Sequence, residues 1–204
     1  MKIFCTEYTL LGAPRRTEYP IGNFFMRSDN AITNSGKTLY TPTWSSDMHF
    51  VPVLVVRLSK AGKSIQECYA HKYYHELALG VSFVDLQYYR ATSALGLDPS
   101  LAYNFDGSLA ISRFFPQEEF PDTIRHVMLN NQDEPIEGEA IIHQSVVSLG
   151  HIHQTIAILS CYYLMKMGDC IAFPLVDTFT PASAPMQHLY STTDDHLILN
   201  SVIK

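Results

Sequence analysis

The chain has 204 residues, of which 47% are hydrophobic and 17% charged. This composition supplies enough apolar material for a folded core and excludes a disordered chain. The formal net charge is −6 and the lysines and arginines form no cluster, which excludes a protein that binds nucleic acid through its phosphate backbone.

The N-terminus and the cysteines predict a cytoplasmic protein. The first residues, MKIFCTEYTLLGAPRR, contain no long apolar segment of the kind found in a signal peptide. Because no stretch of the sequence reaches about 18 apolar residues, we expect no membrane-spanning helix and no membrane partner. The four cysteines show no CxxC spacing and are expected to be reduced thiols: Cys5, Cys68, Cys161 and Cys170.

The first part of the chain predicts short strands followed by one long strand. Residues 1–45 contain short apolar pieces between Pro, Gly and Asn turns, and residues 47–60 have the composition of a strand. Pro52 lies between two valines in that long strand. Since proline removes a hydrogen-bond donor from the ladder, Pro52 predicts an edge strand or a bulge.

The middle of the chain predicts a helix, a strand and a region of loops. Ser64 is placed to cap a helix, and Glu67 is placed to complete a capping box. The apolar segment LALGVSFVDLQ, residues 77–87, predicts a strand. Residues 91–135 contain four prolines and predict mainly loops.

The last part of the chain predicts strands around one helix. EAIIHQSVVSL (139–149) alternates weakly and predicts a strand, as do DCIAFPLV (169–176) and HLILNSVIK (196–204). The predicted helix lies in HIHQTIAILSCYYL, where four apolar residues share one face: Ile152, Ile156, Leu159 and Tyr163. With no internal repeat and no clear linker, the sequence predicts one α+β domain over residues 1–204.

Two local motifs have simpler interpretations than the sites they are similar to. AITNSGKT (31–38) is similar to a phosphate-binding loop, but Pro42 excludes the helix that such a loop needs, so we interpret it as an exposed turn. Two histidine pairs have no evident third metal ligand, and we interpret them as surface residues: His71 with His75, and His151 with His153.

Three segments resemble the fumarylacetoacetate hydrolase family, which includes fumarylpyruvate hydrolases and hydroxyheptadienedioate isomerases. These are MKIFCTEYTLLG (1–12), LSKAGKSIQECYAHKYYHELALGVSFVDLQ (58–87) and SCYYLMKMGDCIAFPLV (160–176), in which Gly168–Asp169 fits the family's Pro-Gly-Asp position. The resemblance implies an α+β, strand-rich fold, a mixed β-sandwich or β-roll with few helices. Residues 1–45 would form its N-terminal strand and loop part, and residues 46–204 its core.

The resemblance also implies a metal site whose ligands this chain lacks. In the family, two Glu two residues apart on a strand and one Asp hold Mg²⁺ or Mn²⁺, cations that prefer oxygen ligands. HFVPVLVV lies under the family's DYEVELAV, which puts the two Glu positions at Val51 and Val53. GVSFVDLQ lies under DVSARDLQ, which puts the Asp position at Gly80. We therefore expect no metal cofactor, and we expect both valines to be buried on one face of their strand.

The cleft that the resemblance implies keeps several side chains that could contact a ligand. Tyr103 lies near the position of a family lysine, and His49 precedes the two valines on the same predicted strand. A small carboxylate is the expected ligand of this vestigial cleft. The predicted ligand-binding residues are Tyr8, His49, Val51, Val53, Gly80, Gln87 and Tyr103.

Two hypotheses of function follow. In the first, the chain is a pseudoenzyme that keeps the fold and acts by binding a small ligand or through an oligomeric interface; the resemblance implies a homodimer. In the second, it is an active hydrolase or isomerase that acts on a keto acid or dicarboxylate through relocated metal ligands. The candidates for these ligands are Asp47, His49, Asp85 and Asp106. The amount of divalent metal bound to the purified protein distinguishes the two hypotheses.

Overall fold

Strands form most of the regular structure in the computed structural model, which describes residues 1–6, 24–136, 139–182 and 184–204. In chain order they are β1 (Ile3–Thr6), β2 (Phe24–Arg27), β3 (Ile32–Asn34), β4 (Thr38–Leu39), β5 (Met48–Leu58), β6 (Tyr74–Asp85), β7 (Leu109–Ile111), β8 (Phe115–Pro116), β9 (Thr123–Leu129), β10 (Ala140–His143), β11 (Cys170–Pro174), β12 (Thr180–Pro181), β13 (Met186–Thr192) and β14 (Leu197–Ile203). The α-helices of these ranges are α1 (Leu86–Ala94) and α2 (Leu149–Tyr162). Short 3₁₀ turns lie at Asp29–Ala31, Glu67–Lys72, Ser100–Ala102, Gln117–Glu119 and Gln144–Val146.

The described strands form two mixed sheets. In the first sheet the order is β2-β1-β11-β5-β6-β7-β3, with β12 also beside β5 and β8 also beside β6. In the second sheet the order is β10-β9-β13-β14-β4. The pairs β1–β11, β3–β7 and β14–β4 are parallel, whereas the other neighbours are antiparallel. The predicted α+β, strand-rich fold with mixed sheets and few helices is confirmed.

The main core lies between the two sheets. The rings of Phe50 in β5 and Phe83 in β6 lie 4.2 and 6.3 Å, centroid to centroid, from the ring of His188 in β13. Buried and less buried residues alternate along β9 and β13, as expected for strands that contribute one face to a core. The second sheet therefore covers one face of the β5–β6 pair.

Helix α2 closes part of the same core. Ile152, Ile156 and Leu159 are buried, which confirms the helical face predicted for them. The prediction is wrong for Tyr163, which follows the end of the helix and is exposed. The Ser148 hydroxyl caps the helix by accepting a hydrogen bond from the backbone N–H of His151 at 3.1 Å. No helix in the described ranges is long and apolar enough to cross a membrane.

The strands β5 and β6 are buried on both faces. Leu54 belongs to the core between the sheets, whereas Val53 and Val55 belong to a second apolar cluster on the opposite face of the first sheet. Burial on both sides explains why VPVLVV and LALGVSFV are almost uninterrupted apolar sequences. β5 and β6 pair along their whole length, from Met48 opposite Asp85 onward.

Pro52 lies in a central strand, so the prediction of an edge strand or a bulge is wrong. On one side of β5, Pro52 lies opposite Val81 of β6. On the other side, β11 pairs with residues 53–57 and β12 with residues 49–50. The carbonyl of Pro52 accepts a hydrogen bond from the N–H of Leu175 at 2.9 Å, so the position of its missing N–H faces the same side. The missing donor falls between two partner strands and interrupts no ladder.

The helix predicted after Ser64 is wrong as well. The segment forms a 3₁₀ turn over Glu67–Lys72 that begins without a side-chain cap, and Ser64 has a φ of 52°. The N–H groups of Ser64 and Ile65 instead donate to the carbonyl and hydroxyl oxygens of Ser160 in α2, at 2.9 and 2.8 Å. Tertiary hydrogen bonds therefore replace the local capping box.

Two further sequence predictions are corrected in the second half of the chain. The region 91–135, predicted to be mainly loops, contains β7, β8 and β9. Its strand β9 buries Ile124, His126 and Met128, and the histidine among them hides the alternation of apolar residues. In 139–149 the strand ends at His143, and a 3₁₀ turn over Gln144–Val146 leads to the Ser148 cap of α2.

Candidate functional site

The two central strands bring the three predicted metal-ligand positions together. Val53 in β5 lies directly opposite Gly80 in β6, and Val51 lies opposite Ser82. The exposed fractions of Val51 and Val53 are 1% and 0%. Both valines belong to the second apolar cluster, which confirms that they are buried on a common face.

Two valines of β5 leave no space for a side chain at position 80, so only glycine fits there. A Cβ atom at this position would lie 2.8 Å from Cγ2 of Val53, 3.1 Å from Cγ2 of Val55 and 3.3 Å from the carbonyl oxygen of Ala110. The first distance is shorter than a van der Waals contact allows. The volume that an aspartate would need at position 80 is therefore occupied by apolar side chains of β5.

The residues at this face do not fit a divalent metal ion. Mg²⁺ and Mn²⁺ require oxygen ligands, and the three aligned positions offer only two valines and a glycine. The other buried members of the cluster are also apolar or thiol side chains: Ile3, Cys5, Val55, Ala78, Leu109, Ile111, Cys170 and Ala172.

The relocated ligands considered from the sequence are not gathered around one point. Asp47 and His49 form a pair, with Oδ1 and Nε2 2.8 Å apart, and Arg90 donates to Oδ2 of Asp47 at 2.6 Å. Asp85 is buried and accepts from the N–H of Tyr88 as the cap of α1, whereas Asp106 is exposed. In the described ranges, no group of three or more His, Cys, Asp or Glu is placed to hold a metal.

The other predicted ligand-binding residues are distributed over several elements. Gln87 lies exposed on α1 and accepts hydrogen bonds from the backbone N–H and hydroxyl of Ser46 at 3.0 and 2.9 Å. Tyr103 lies against Phe25, with ring centroids 4.3 Å apart, and its pKa is raised mainly by burial. Tyr8 lies outside the described residues.

Sequence reasoning missed Arg27, the buried charge on the same side of the first sheet. Arg27 ends β2 opposite Ile3 of β1 and is 3% exposed. One terminal nitrogen donates to the carbonyl and hydroxyl oxygens of Ser108, at 2.8 and 2.7 Å. The other donates to the Ser82 hydroxyl at 2.5 Å and to the Phe83 carbonyl at 3.3 Å. Its signal in the sequence is weak: one cation at the end of the apolar segment NFFMR.

A second polar cluster that the sequence did not predict lies between the sheets. His126 Nε2 and His188 Nδ1 are 3.1 Å apart, and the ring of Tyr190 stacks on His126 at 4.2 Å. Burial lowers the pKa of His126 to about 4. Burial and the neighbouring His126 lower the pKa of His188 to about 3. Both imidazoles are therefore neutral at neutral pH.

The local motifs have the simpler roles proposed for them, except that His153 is not the surface residue that was predicted. Residues 31–38 form β3, β4 and a turn between them, in which Gly36 adopts a φ of 82°. His71, His75 and His151 are exposed. His153 is partly buried, with its Nε2 3.1 Å from the hydroxyl of Tyr74.

These observations define an α+β protein of two mixed sheets, with an apolar face on its central strand pair. A family model described as fumarylacetoacetate (FAA) hydrolase C-terminal matches residues 6–174. Since this match covers most of the chain, the protein belongs to that family, and the resemblance noted in its sequence is confirmed.

A curated relative and several solved structures are similar to the chain. Oxaloacetate tautomerase FAHD1, mitochondrial, of Mus musculus is 29% identical over 98 residues. That match covers 48% of this chain and 44% of the mouse protein, so it spans less than half of this relative.

Two of the solved structures cover almost the whole chain. The fumarylpyruvate hydrolase of Pseudomonas aeruginosa, in complex with Mn²⁺ and pyruvate, has a TM-score of 0.76 and 16% identity, and covers 100% of this chain and 89% of that one. The 2-hydroxyhepta-2,4-diene-1,7-dioate isomerase of Mycobacterium marinum has a TM-score of 0.73 and 13% identity. The match covers 99% of this chain and 73% of that one. At these identities the likeness shows the fold alone.

Proposed function

We propose that this protein is a pseudoenzyme of the fumarylacetoacetate hydrolase family that binds a small carboxylate without a divalent metal. One observation carries the proposal: Val51 and Val53, where the sequence resemblance implies two of the metal ligands, are buried in an apolar cluster, and Gly80, where it implies the third, lies opposite Val53. A carboxylate at these positions would lose its water shell among the apolar side chains of the cluster. Apolar side chains at these positions avoid that cost. They also leave no ligands for the metal ion that metal-dependent catalysis requires.

The similar proteins suggest the class of ligand. The mouse relative is named for oxaloacetate, and the Pseudomonas structure contains pyruvate. Both compounds are 2-oxo acids. The buried Arg27 lies beside the apolar face of β5 and β6 and donates a hydrogen bond to Ser82. A positive charge next to an apolar face that excludes water is suited to bind such an acid.

The proposal predicts that Mg²⁺ and Mn²⁺ at millimolar concentration leave the melting temperature unchanged. A cation that saturated a native site 100-fold would stabilise the protein by about 2.7 kcal/mol, which a thermal unfolding experiment detects. The purified protein should also contain no stoichiometric divalent metal by elemental analysis. A saturable rise in melting temperature with Mn²⁺, or one metal ion per chain, would contradict the pseudoenzyme proposal.

One observation favours a second candidate function, an isomerase or tautomerase that moves a proton without metal. Asp47 binds His49 through Nε2, and the buried Nδ1 of His49 has no hydrogen-bond partner in the described ranges. This nitrogen could accept a proton from a carbon beside a carbonyl group and return it to the carbonyl oxygen, which converts the keto form to the enol. Asp47, itself held by Arg90, would stabilise the imidazolium in between.

An activity assay separates the two candidates. Under the pseudoenzyme proposal, the wild-type protein tautomerises oxaloacetate no faster than buffer does, with or without Mn²⁺. Under the second candidate, wild-type protein in EDTA is active and His49→Gln is not. The exposed His143 in β10 provides a matched control, because His143→Gln should then keep full activity.

A further inference from the structure

We infer that the Arg27 guanidinium is the anchor for the carboxylate group of a small monocarboxylic acid, at the apolar face of β5 and β6. This inference rests on the proposed function and specifies which group of the protein binds the ligand and which acids it prefers.

The hydrogen bonds of Arg27 leave one donor unused. Its two terminal nitrogens carry four N–H groups, and these meet two carbonyl oxygens and two hydroxyl oxygens. A guanidinium has a fifth N–H, on Nε. This nitrogen is buried and has no hydrogen-bond partner in the part of the chain that the structure describes.

Among the residues that the structure describes, no anion pairs with Arg27. All four acceptors are neutral oxygens, and the ion pairs among the described residues are formed by other basic side chains: Lys2, His49, Arg57, Arg90 and Arg125. The nearby Cys5 thiol does not act as a counter-ion, because burial raises its pKa more than the charge of Arg27 and a side-chain hydrogen bond with Arg27 lower it. A buried cation without an anion is unfavourable, and a bound carboxylate removes that cost through charge-assisted hydrogen bonds.

The position of the guanidinium connects it with the predicted site. It binds the hydroxyl of Ser82, which lies opposite Val51 in the β5–β6 ladder and two residues from Gly80. Through Ser108 it is also connected to Tyr103, since the Ser108 hydroxyl donates to the Tyr103 carbonyl at 2.9 Å. A fixed cation of the protein thus lies beside the face where the family resemblance implies acidic side chains.

The surroundings of Arg27 select among acids. One buried charge balances one carboxylate, and the adjacent cluster of Val51, Val53 and Leu109 is apolar. A second carboxylate placed on that face would be buried without a partner. The site should therefore bind pyruvate, a monocarboxylate, more tightly than oxaloacetate, which carries two carboxylates.

The test uses the full chain in EDTA and measures binding of pyruvate, oxaloacetate and sulfate by isothermal titration calorimetry. We expect pyruvate to bind the wild-type protein at least tenfold more tightly than oxaloacetate or sulfate. Arg27→Met should weaken pyruvate binding at least tenfold. Arg113, an exposed arginine, provides the matched control, since Arg113→Met should bind pyruvate as the wild type does.

Two further measurements keep the inference testable if Arg27→Met does not fold. The first is carbon NMR of pyruvate labelled at its carboxylate, titrated with wild-type protein, in which a saturable shift of that signal is expected. The second is Ser108→Ala, which removes one partner of the guanidinium and should weaken binding severalfold. Glu7→Gln and Glu18→Gln test whether a carboxylate of the chain itself balances Arg27. If the wild type binds no pyruvate and either of these variants does, the inference of an external ligand is overturned.

The outcomes distinguish this inference from the proposed function. If the wild type and a folded Arg27→Met variant bind pyruvate equally, the role of Arg27 is overturned. The proposed function, binding of a carboxylate without metal, is then still supported. Binding of pyruvate only when Mn²⁺ is present overturns the proposed function itself. An absence of pyruvate binding to the wild type under both conditions overturns the anchor and the carboxylate ligand together, while the metal content still tests the pseudoenzyme proposal.

Discussion

Val53 is completely buried opposite Gly80, and its replacement tests the central residue of the predicted site. Val53→Glu places a carboxylate among the apolar side chains of Val51, Val55 and Leu109. We expect a loss of about 3–5 kcal/mol in the free energy of unfolding, measured by urea denaturation at pH 7.

The neutral variant Val53→Gln separates the charge of the new side chain from its size. The pKa of a buried glutamate is raised above its ordinary value of about 4.3, so its folded state carries a penalty that appears only above that pH. The stability difference between Val53→Glu and Val53→Gln should shrink as the pH falls toward 4.3. A difference that stays constant over pH 4–8 would mean that position 53 is open to water.

The burial of Arg27 could not be predicted from the local sequence, although this residue is central to the inferred binding site. The letter R after an apolar segment is compatible with an exposed strand end, the usual place for a charged side chain. Its burial results from Ser82 and Ser108, which lie more than 50 residues further along the chain. The valines at 51 and 53, by contrast, were predicted to be buried on one face because neighbours two apart on a strand share a face.

At the level of elements, the pair β5–β6 can be used to rebuild the missing ligand set. The triple variant Val51→Glu, Val53→Glu and Gly80→Asp places three carboxylates on one face of two paired strands. Without metal, their mutual repulsion should destabilise it more than Val53→Glu alone. Mn²⁺ at 100 times its dissociation constant should then restore about 2.7 kcal/mol.

Chemical denaturation of the triple variant in Mn²⁺ and in EDTA is the measurement. Replacing Val53 also removes its Cγ2 atom, which lies 2.8 Å from the Cβ position of residue 80, so the triple variant is less strained than Gly80→Asp alone. The wild type in the same two buffers is the control. Equal stability of the triple variant in both would show that the three positions do not surround one site, provided that a version with Pro52→Val gives the same result.

The strands β9 and β13 predict a second effect, a loss of stability in acid. His126 and His188 are neutral in the folded protein because burial lowers their pKa values to about 4 and about 3. In the unfolded chain they take up protons below pH 6.5. Stability is therefore unaffected by them above pH 6.5 and falls below it, by about 1.4 kcal/mol per pH unit for each histidine, until the folded pKa is reached.

Replacement of both histidines isolates this effect from other acid-sensitive groups. In the variant His126→Gln with His188→Gln, the free energy of unfolding should fall less steeply between pH 6.5 and 4.5 than in the wild type. The exposed His143→Gln variant should keep the wild-type slope. An unchanged slope in the double variant would mean that both histidines take up protons over the same pH range in the folded protein as in the unfolded chain.

For the whole molecule we expect a homodimer, as the family resemblance implies. Apolar side chains such as Trp44, which is 70% exposed, and Met167, which is 75% exposed, are available for an interface. Static light scattering should give twice the mass of one chain, and dilution should shift the protein toward the monomer. A monomer at every concentration would contradict this prediction.

The sequence predicted those features that repeat along the chain and missed those that depend on distant partners. The long strand around residues 48–58 and helix α2 follow from apolar periodicity, and both are present. The central position of Pro52 depends on the gap between β11 and β12, more than 120 residues away, which no local pattern reveals. The same holds for His126 and His188, whose contact joins residues 62 positions apart.

The position of β1 has a consequence for how the chain folds. β1 reaches the rest of the first sheet through β11, and the N–H of Lys2 donates to a carboxylate oxygen of Asp169, 167 residues later. Strands β5 and β6 are close in sequence and can pair as soon as both have been synthesised, because a short loop costs little entropy to close. Until residues 170–174 follow, one edge of β5 lacks its main partner and is open to strands of other chains. The first strand of the chain is therefore among the last to join its sheet.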